Sequence, residues 1–210
     1  MELYMNKNDL GFSLAAAVIT AIFLYPTLTT PDLNAKLPVP VILLLIIFVA
    51  VSAVSMYAAE VIGRKIPFLW PIAKFGQVGV LNTAIDFGIL NFLISITQIT
   101  SGTGIIFINA TSFTTALINS YFWNKGWVFL GSKKSNFITF AVITLIGLSI
   151  NTGVVYALTT YVPPVIVHSQ TLWANVAKLL ATGLSLVWNF VGYRLIVFKN
   201  APAQQDAQTA

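Results

Sequence analysis

Long stretches without a charged side chain constrain this chain more than any other feature of its sequence. No residue from 37 to 59 is charged, and none from 87 to 124. A helix that crosses the ~30 Å hydrocarbon core of a bilayer needs about 20 mostly apolar residues. Only 8% of the residues are charged and 57% are hydrophobic, whereas soluble domains average about 25% charged residues. We therefore predict an all-α integral membrane protein.

Six membrane-spanning helices are predicted from these stretches, over residues 10–27, 37–59, 74–99, 105–124, 136–161 and 172–197. They divide the chain into an N-terminal hairpin (1–62), an interfacial linker (63–74), a four-helix domain (75–199) and a disordered tail (200–210). The first span has one alternative, a cleaved signal peptide. Its apolar stretch is longer than the usual ~7–15 residues of such a peptide, which favours a retained helix.

The basic residues predict how these spans are oriented. Lysine and arginine concentrate in cytoplasmic loops of membrane proteins, and six of them lie in the loops after spans two and four: Arg64, Lys65, Lys74, Lys125, Lys133 and Lys134. The opposite loops hold Lys36, which Asp32 offsets, and His168. We expect a multi-pass protein of the cytoplasmic membrane with both termini in the cytoplasm.

Several function classes are disfavoured by what the chain contains. It has no cysteine and one histidine, so disulfides, thiolate chemistry, iron–sulfur clusters and multi-histidine metal centres are excluded. The net charge of +5 comes from scattered basic residues, which do not form a patch for nucleic acid. The acids after residue 59 are Glu60, Asp86 and Asp206, which are far apart in sequence. We therefore expect no cofactor, no nucleic-acid partner and no enzymatic activity.

The last four spans contain a candidate internal repeat. A shift of 69 residues places Asn82-Thr83 on Asn151-Thr152, Lys125 on Arg194 and Val128-Phe129 on Val197-Phe198. Chance similarity between apolar helices is the alternative. A true repeat would consist of two parallel hairpins, an arrangement in which transporters bind substrate between the repeats.

Polar side chains recur every three or four residues in the last four spans and so share one helix face. They are Asn82 and Asp86 in span three, Asn109, Ser112 and Asn119 in span four, Thr144 and Asn151 in span five, and Asn175, Lys178, Thr182, Ser185 and Asn189 in span six. Small and hydroxyl residues also serve as packing faces between membrane helices. That alternative fits the serines and threonines better than it fits Asn, Asp and Lys.

Asp86 and Lys178 are the two charges predicted deep within spans. At about 1.5 Å per residue, Asp86 lies about 18 Å from Lys74 and Lys178 about 24 Å from Arg194. The two depths are close enough for an ion pair. A functional site is one interpretation; mutual neutralisation, or a lysine that extends outward to the membrane surface, is the other.

Three segments resemble the GtrA-like family in order: FGQVGVLNTAIDFGILN from Phe75, NATSFTTALINSYFWNKGWVF from Asn109 and WNFVGYRLIVF from Trp188. A similar domain forms the membrane part of some dolichol-phosphate-mannose synthases. The resemblance covers about residues 72–199 and extends to Gly79, Asn82, Asp86, Asn119, Tyr121, Asn124, Trp127, Phe129, Lys178, Asn189, Arg194 and Phe198. Lys125 stands where the family often has arginine, which keeps the charge but loses a two-pronged phosphate contact.

The resemblance implies a role in cell-surface polysaccharide synthesis, in which a polyprenyl-phosphate-linked sugar is moved across the membrane. The expected substrate-binding residues are Lys178, Arg194 and Lys125 for the phosphate, with Asp86 beside Lys178, and Asn82, Asn119, Asn151, Asn175 and Asn189 for the sugar. Trp123, Trp127 or Trp188 would contact the sugar ring, although an interfacial aromatic belt is the favoured interpretation for Trp70, Trp127 and Trp173.

Two other function classes remain open. The chain could instead be a non-transporting subunit that anchors or stabilises a glycosyltransferase. The other class is an integral-membrane enzyme that acts on a lipid phosphate, which the wide spacing of the acids after residue 59 disfavours. A homodimer is a further expectation, because four core helices provide few walls for a cavity.

Overall fold

The structure, a computed structural model, describes residues 7–66, 69–128, 137–164, 167 and 169–192. Those residues are helical or in short connections, with no strand among them. The helices are α1 (Lys7–Leu28), α2 (Pro31–Asn34), α3 (Val41–Gly63), α4 (Leu69–Thr97), α5 (Gly102–Trp123), a π-helical turn (Asn124–Val128), α6 (Phe137–Tyr161) and α7 (Gln170–Gly192). The prediction of an all-α membrane protein is confirmed at this level.

Five segments of the described chain are long and apolar enough to cross a membrane: Asp9–Leu28, Val41–Gly63, Ile72–Thr97, Gly102–Val128 and Val142–Tyr161. The sixth predicted span corresponds to α7, which is 23 residues long. It is not among the five segments found in the described residues. The count of six spans therefore stays a prediction.

The N-terminal hairpin is not separate from the rest of the bundle, because α1 packs along α4. At their crossing, a Cβ added to Gly88 would overlap the backbone carbonyl of Phe23, so only glycine allows this approach. Gln77 of α4 donates to the Ser13 carbonyl at 2.8 Å. α4 also begins at Leu69, so the end of the predicted linker 63–74 is helical.

The connection between α4 and α5 contains two residues with a left-handed backbone, Gln98 at φ +58° and Gly102. Gly102 has φ +68°, a conformation that glycine adopts without a steric penalty. Its amide donates to the Thr160 hydroxyl at 2.9 Å, which ties the start of α5 to the end of α6. The end of α4, the start of α5 and the end of α6 are thereby held together.

The bounds of the last helices agree with the 69-residue shift. Shifting α5 by that distance gives residues 171–192, beside the observed Gln170–Gly192 of α7. Shifting α4 gives 138–166, which overlaps all but the first residue of α6. The hairpins α4–α5 and α6–α7 therefore match within one residue at the start of each helix and at the end of the second helix. They differ between these points, because α6 ends earlier than the shifted α4 and its connection to α7 is longer.

Candidate functional site

Lys178 lies in the interior of the helical bundle with no exposed surface. Its Nζ is 2.6 Å from Oδ1 of Asp86 and donates to Oδ1 of Asn109 at 2.7 Å. Longer contacts reach the Ser112 hydroxyl at 3.3 Å and Oδ1 of Asn151 at 3.5 Å. A lysine ammonium has three donors, so the surrounding side chains provide an acceptor for each. We call these five residues the Lys178 cluster.

The members of the Lys178 cluster also bind one another. The Ser112 hydroxyl donates to Asp86 at 2.8 Å, and Nδ2 of Asn109 donates to Oδ1 of Asn151 at 2.9 Å. Because both amide oxygens face Lys178, the orientation of both amides is fixed. Nδ2 of Asn151 is left buried without a hydrogen-bond partner, which costs about 1–3 kcal/mol.

Small residues on α7 allow this burial. Ala174, Ala177 and Ala181 lie one turn or less from Lys178, and none has exposed surface. Small side chains let membrane helices approach closely, so the lysine stem lies between α7 and its neighbours. Apolar side chains, including Ile85, Leu90 and Ile108, surround the Lys178 cluster on α4 and α5. The cation is therefore enclosed by polar groups and, beyond them, by an apolar core.

The contact between Lys178 and Asn109 joins two equivalent positions of the candidate repeat. The two residues are 69 apart in sequence, the same distance as the shift that aligns Asn82 with Asn151. Equivalent positions contact each other only where they lie at the axis that relates two copies. The Lys178 cluster therefore lies between the two hairpins, where a parallel-repeat transporter binds its substrate.

The other predicted asparagines form separate contacts. Asn119 donates to Asn82 at 2.7 Å, and this partly exposed pair joins α4 to α5. Asn175 and Asn91 donate to each other at 2.7 Å in both directions. Asn91 also donates to the Thr27 hydroxyl at 3.1 Å. Polar contacts of this kind hold helices α1, α4, α5 and α7 together on either side of the Lys178 cluster.

Three predicted site residues lie away from the Lys178 cluster or outside the described chain. Lys125 is exposed in the π-helical turn, and its Nζ donates to the Tyr121 hydroxyl at 3.3 Å. The structure describes Asn189 as part of α7 but does not describe its side chain. Arg194 lies outside the described residues. Of the phosphate ligands expected from sequence, the structure thus places only Lys178 next to Asp86.

The tryptophans depart from the aromatic-belt interpretation. Trp70, Trp127 and Trp173 are all buried within the protein, whereas belt residues face lipid headgroups. The Trp173 indole donates to the carbonyls of Leu158 and Val162, at 3.1 and 3.0 Å. That contact caps the end of α6, where backbone carbonyls lack helical partners.

A second charged cluster lies where α1 and α4 begin and α5 ends. Oδ1 of Asp9 accepts from Lys74 at 2.5 Å and from the Trp127 indole at 2.8 Å. The Phe12 ring stacks on Trp127, and Trp123 meets both rings edge-on, all with centroids within 5.9 Å of one another. We call these five residues the Asp9 cluster.

Sequence reasoning missed parts of both clusters. The spacing of Asn109 and Ser112 from Asn119 places both on the polar face of their helix. It does not show that they contact Lys178. The Asp9 cluster joins residues up to 118 positions apart, so no local pattern could reveal it. Among the described residues no group of acids and histidines could hold a metal ion.

The comparisons with known proteins identify the class to which this multi-pass membrane bundle belongs. The sequence model of the family described as "GtrA/DPMS, transmembrane domain" matches residues 74–198, more than half of the chain. The protein belongs to this family. It is also similar to the uncharacterized membrane protein YngA of Bacillus subtilis (strain 168), with 29% identity over 130 residues, 60% of this chain and 78% of that protein. No solved structure matches.

Proposed function

We propose that this protein moves a polyprenyl-phosphate-linked sugar across the cytoplasmic membrane for cell-surface polysaccharide synthesis. The observation that carries the proposal is the buried Lys178, paired with Asp86 between the two helical hairpins. An ionisable residue within membrane-spanning helices is costly and marks a substrate or ion path by default. A lipid phosphate that crosses the bilayer requires a cation at that depth.

Asp86 neutralises the buried cation of Lys178 when no substrate is bound. Its carboxylate is the anion nearest to Lys178, and Ser112 donates to the same oxygen. A phosphate that replaced the carboxylate would meet the ammonium of Lys178 and the Ser112 hydroxyl. Because Lys178 has no exposed surface, this arrangement corresponds to a closed state, and we infer that hairpins α4–α5 and α6–α7 separate to admit the lipid.

The proposal includes α7 as the sixth span. Its buried face carries Lys178 and Ser185, whereas its outward face exposes Leu179, Leu180, Leu184 and Val187. A helix of 23 residues is about 35 Å long, which is enough to cross the hydrocarbon core. Six spans then place both termini on one side, and the distribution of lysine and arginine supports the cytoplasm.

A non-transporting subunit is the second candidate function. The observation that favours it is the saturation of Lys178, whose three N–H groups already have acceptors within the protein. Such a network also holds a bundle together without binding any substrate. In that case the protein would anchor or stabilise a membrane glycosyltransferase.

Flux through liposomes separates the two candidates. Purified protein should equilibrate a labelled polyprenyl-phosphate sugar across the bilayer without any glycosyltransferase. Lys178→Met should abolish this flux, and Asp86→Asn combined with Lys178→Met should restore a folded protein that still lacks flux. Without Lys178 no cation remains in the described part of the bundle interior at that depth.

The control is the ion pair of Glu60 and Arg64 on α3, whose N–O distance is 3.0 Å and whose acid is also buried. Glu60→Gln with Arg64→Met should leave the flux unchanged, because this pair lies outside the segment that matches the family. If the double variant at Asp86 and Lys178 recovers flux, the ion pair of Asp86 and Lys178 has a structural role and does not bind the phosphate. Absence of flux from the parent protein, with stable co-purification of a glycosyltransferase, would favour the anchoring subunit.

A further inference from the structure

The Asp9 cluster contains an anion site that the protein fills with its own side chain. Two donors, Nζ of Lys74 and the indole Nε1 of Trp127, converge on one oxygen of Asp9. Both donors belong to residues 74–198, which match the family, while Asp9 comes from the preceding helix. Without the Asp9 carboxylate, the core would still present a cation and a neutral N–H group to any other anion.

Aromatic rings enclose the cation of this site. Nζ of Lys74 lies 5.0 Å from the ring centroid of Trp70 and 5.6 Å from that of Trp127. Rings at these distances hold a lysine ammonium by cation–π attraction. The side chain of Lys74 is 12% exposed, unlike the fully buried Lys178, so this cation lies close to the protein surface.

An open cleft of about 190 Å³ adjoins the anion site and is lined by Phe12, Phe122, Trp123, Gly126 and Trp127. The position where a Cβ would stand on Gly126 has no atom within 4 Å, which leaves the cleft open there. Aromatic faces offer large apolar surfaces with a polar edge, and the C–H faces of a sugar ring suit such surfaces. The cleft is formed partly by the π-helical turn, and π-helical turns are frequent at functional sites.

Attachment of α1 to the bundle does not depend on Asp9. The close approach of Gly88 to Phe23 and the hydrogen bond from Gln77 to Ser13 hold α1 against α4 elsewhere. A carboxylate and a lipid phosphate are both anionic acceptors and would repel each other in one site. Occupation by one therefore excludes the other.

We propose that Lys74 and Trp127 form a receiving site for the phosphate of a lipid-linked sugar, that the sugar enters the aromatic cleft, and that Asp9 occupies the phosphate position until the headgroup displaces it. The identity of the lipid rests on the proposed function. The site would lie at the cytoplasmic end of the bundle in the orientation proposed above. Asp9 then acts as a competitor built into the chain.

Binding measurements on the full chain in phosphatidylcholine nanodiscs test this inference. The probes are a polyprenyl-phosphate-linked glucose, the same polyprenyl phosphate without sugar, and phosphatidylglycerol. If Asp9 occupies the site about nine-tenths of the time, Asp9→Asn should bind the sugar lipid about tenfold more tightly. Glu60→Gln changes the charge of another buried acid near the same end of the bundle and should leave the affinity unchanged.

Lys74→Met, placed in the Asp9→Asn background, should remove the gain in affinity, whereas Lys65→Met, at an exposed lysine, should retain it. Trp123→Leu should weaken binding of the sugar lipid and not of polyprenyl phosphate, and this comparison needs no change at Asp9. The inference is overturned if Asp9→Asn binds no more tightly than the parent, or if Glu60→Gln gains as much. Equal gains for phosphatidylglycerol and the sugar lipid would overturn the assignment to a sugar lipid.

Failure of the proposed function gives a different result. The nanodisc experiment measures binding without translocation. Tighter binding by Asp9→Asn, together with absent flux in liposomes, would keep the receiving site and reject transport. Normal flux in liposomes, together with an Asp9→Asn variant that binds no more tightly than the parent, would support transport and reject the receiving site.

Discussion

Two interhelical ion pairs of nearly equal length have different surroundings in this protein. Asp86 and Lys178 are 2.6 Å apart in the interior, and Asp9 and Lys74 are 2.5 Å apart at one end of the bundle. Lys178 is enclosed by amide and hydroxyl oxygens from α5 and α6. Lys74 is bordered by indole rings and lies near an open cleft. Length alone therefore does not distinguish them.

The surroundings of each ion pair determine whether another anion can replace its carboxylate. Every N–H group of Lys178 has an acceptor, so its anion can be replaced only if several helices move. Lys74 and the Trp127 indole bind an anion that belongs to a helix outside the segment that matches the family. We therefore expect mutation of the interior pair to lower stability as well as flux, and mutation of the pair at the end to act chiefly on binding.

The largest expected effect is on stability at the interior pair. Lys178→Met leaves Asp86 buried without its cation, and removing one partner of a buried ion pair costs about 3–5 kcal/mol. The corresponding change Lys74→Met should cost less, about 1.5–3 kcal/mol, the scale of a hydrogen bond to a charged group. Unfolding in detergent micelles measures both.

The double variant Asp86→Asn with Lys178→Met should regain most of that stability, because neither charge is then left alone. A loss of equal size for Lys178→Met and Lys74→Met would remove the distinction between the two pairs. A double variant as unstable as Lys178→Met would mean that the surrounding amides, rather than Asp86, hold the lysine.

An intermediate effect is expected from Gly88→Ala, which tests how α1 is attached. The added Cβ meets the backbone of Phe23, which cannot yield as a flexible side chain does, and overpacking of this kind costs about 1–3 kcal/mol. Gly79→Ala on the same helix has open space and should be neutral or stabilising by up to about 1 kcal/mol. The comparison is made by unfolding in micelles, and a stable Gly88→Ala variant would contradict the close approach.

The smallest effect is expected at a third lysine that belongs to neither pair. Lys125 is exposed and contacts the ring and hydroxyl of Tyr121, so Lys125→Ala should change the free energy of unfolding by at most about 0.5 kcal/mol. The shift in melting temperature in the same micelles measures it. A larger loss would show that this lysine supports the bundle.

Much of the interior could be predicted from the sequence, because it follows from helix geometry. Counting residues from the predicted membrane surface placed Asp86 and Lys178 at similar depths, and the structure pairs them. Helical periodicity placed Asn109 and Ser112 on one face. It could not show that this face meets α6 and α7 at the lysine, because the direction in which a helix turns its polar face is decided by packing.

The end of the bundle could not be predicted in the same way. Asp9 was part of a hairpin interpreted as separate, and Trp127 and Trp70 were assigned to the membrane surface. Each of these residues is buried in the structure. Hydropathy registers how apolar a segment is but not which segment it packs against, and the contact of α1 with α4 joins residues more than 60 positions apart.

The contact between Asn109 and Lys178 has a consequence for how such a protein can be assembled. If two identical hairpins met at this position, both would bring the same side chain to the symmetry axis. Two lysines there would repel each other, and two asparagines would supply no charge. A single cation at the axis, held by an acceptor from the other half, requires hairpins that differ in sequence. The 69-residue spacing meets this requirement within one polypeptide, which a homodimer of identical hairpins cannot do.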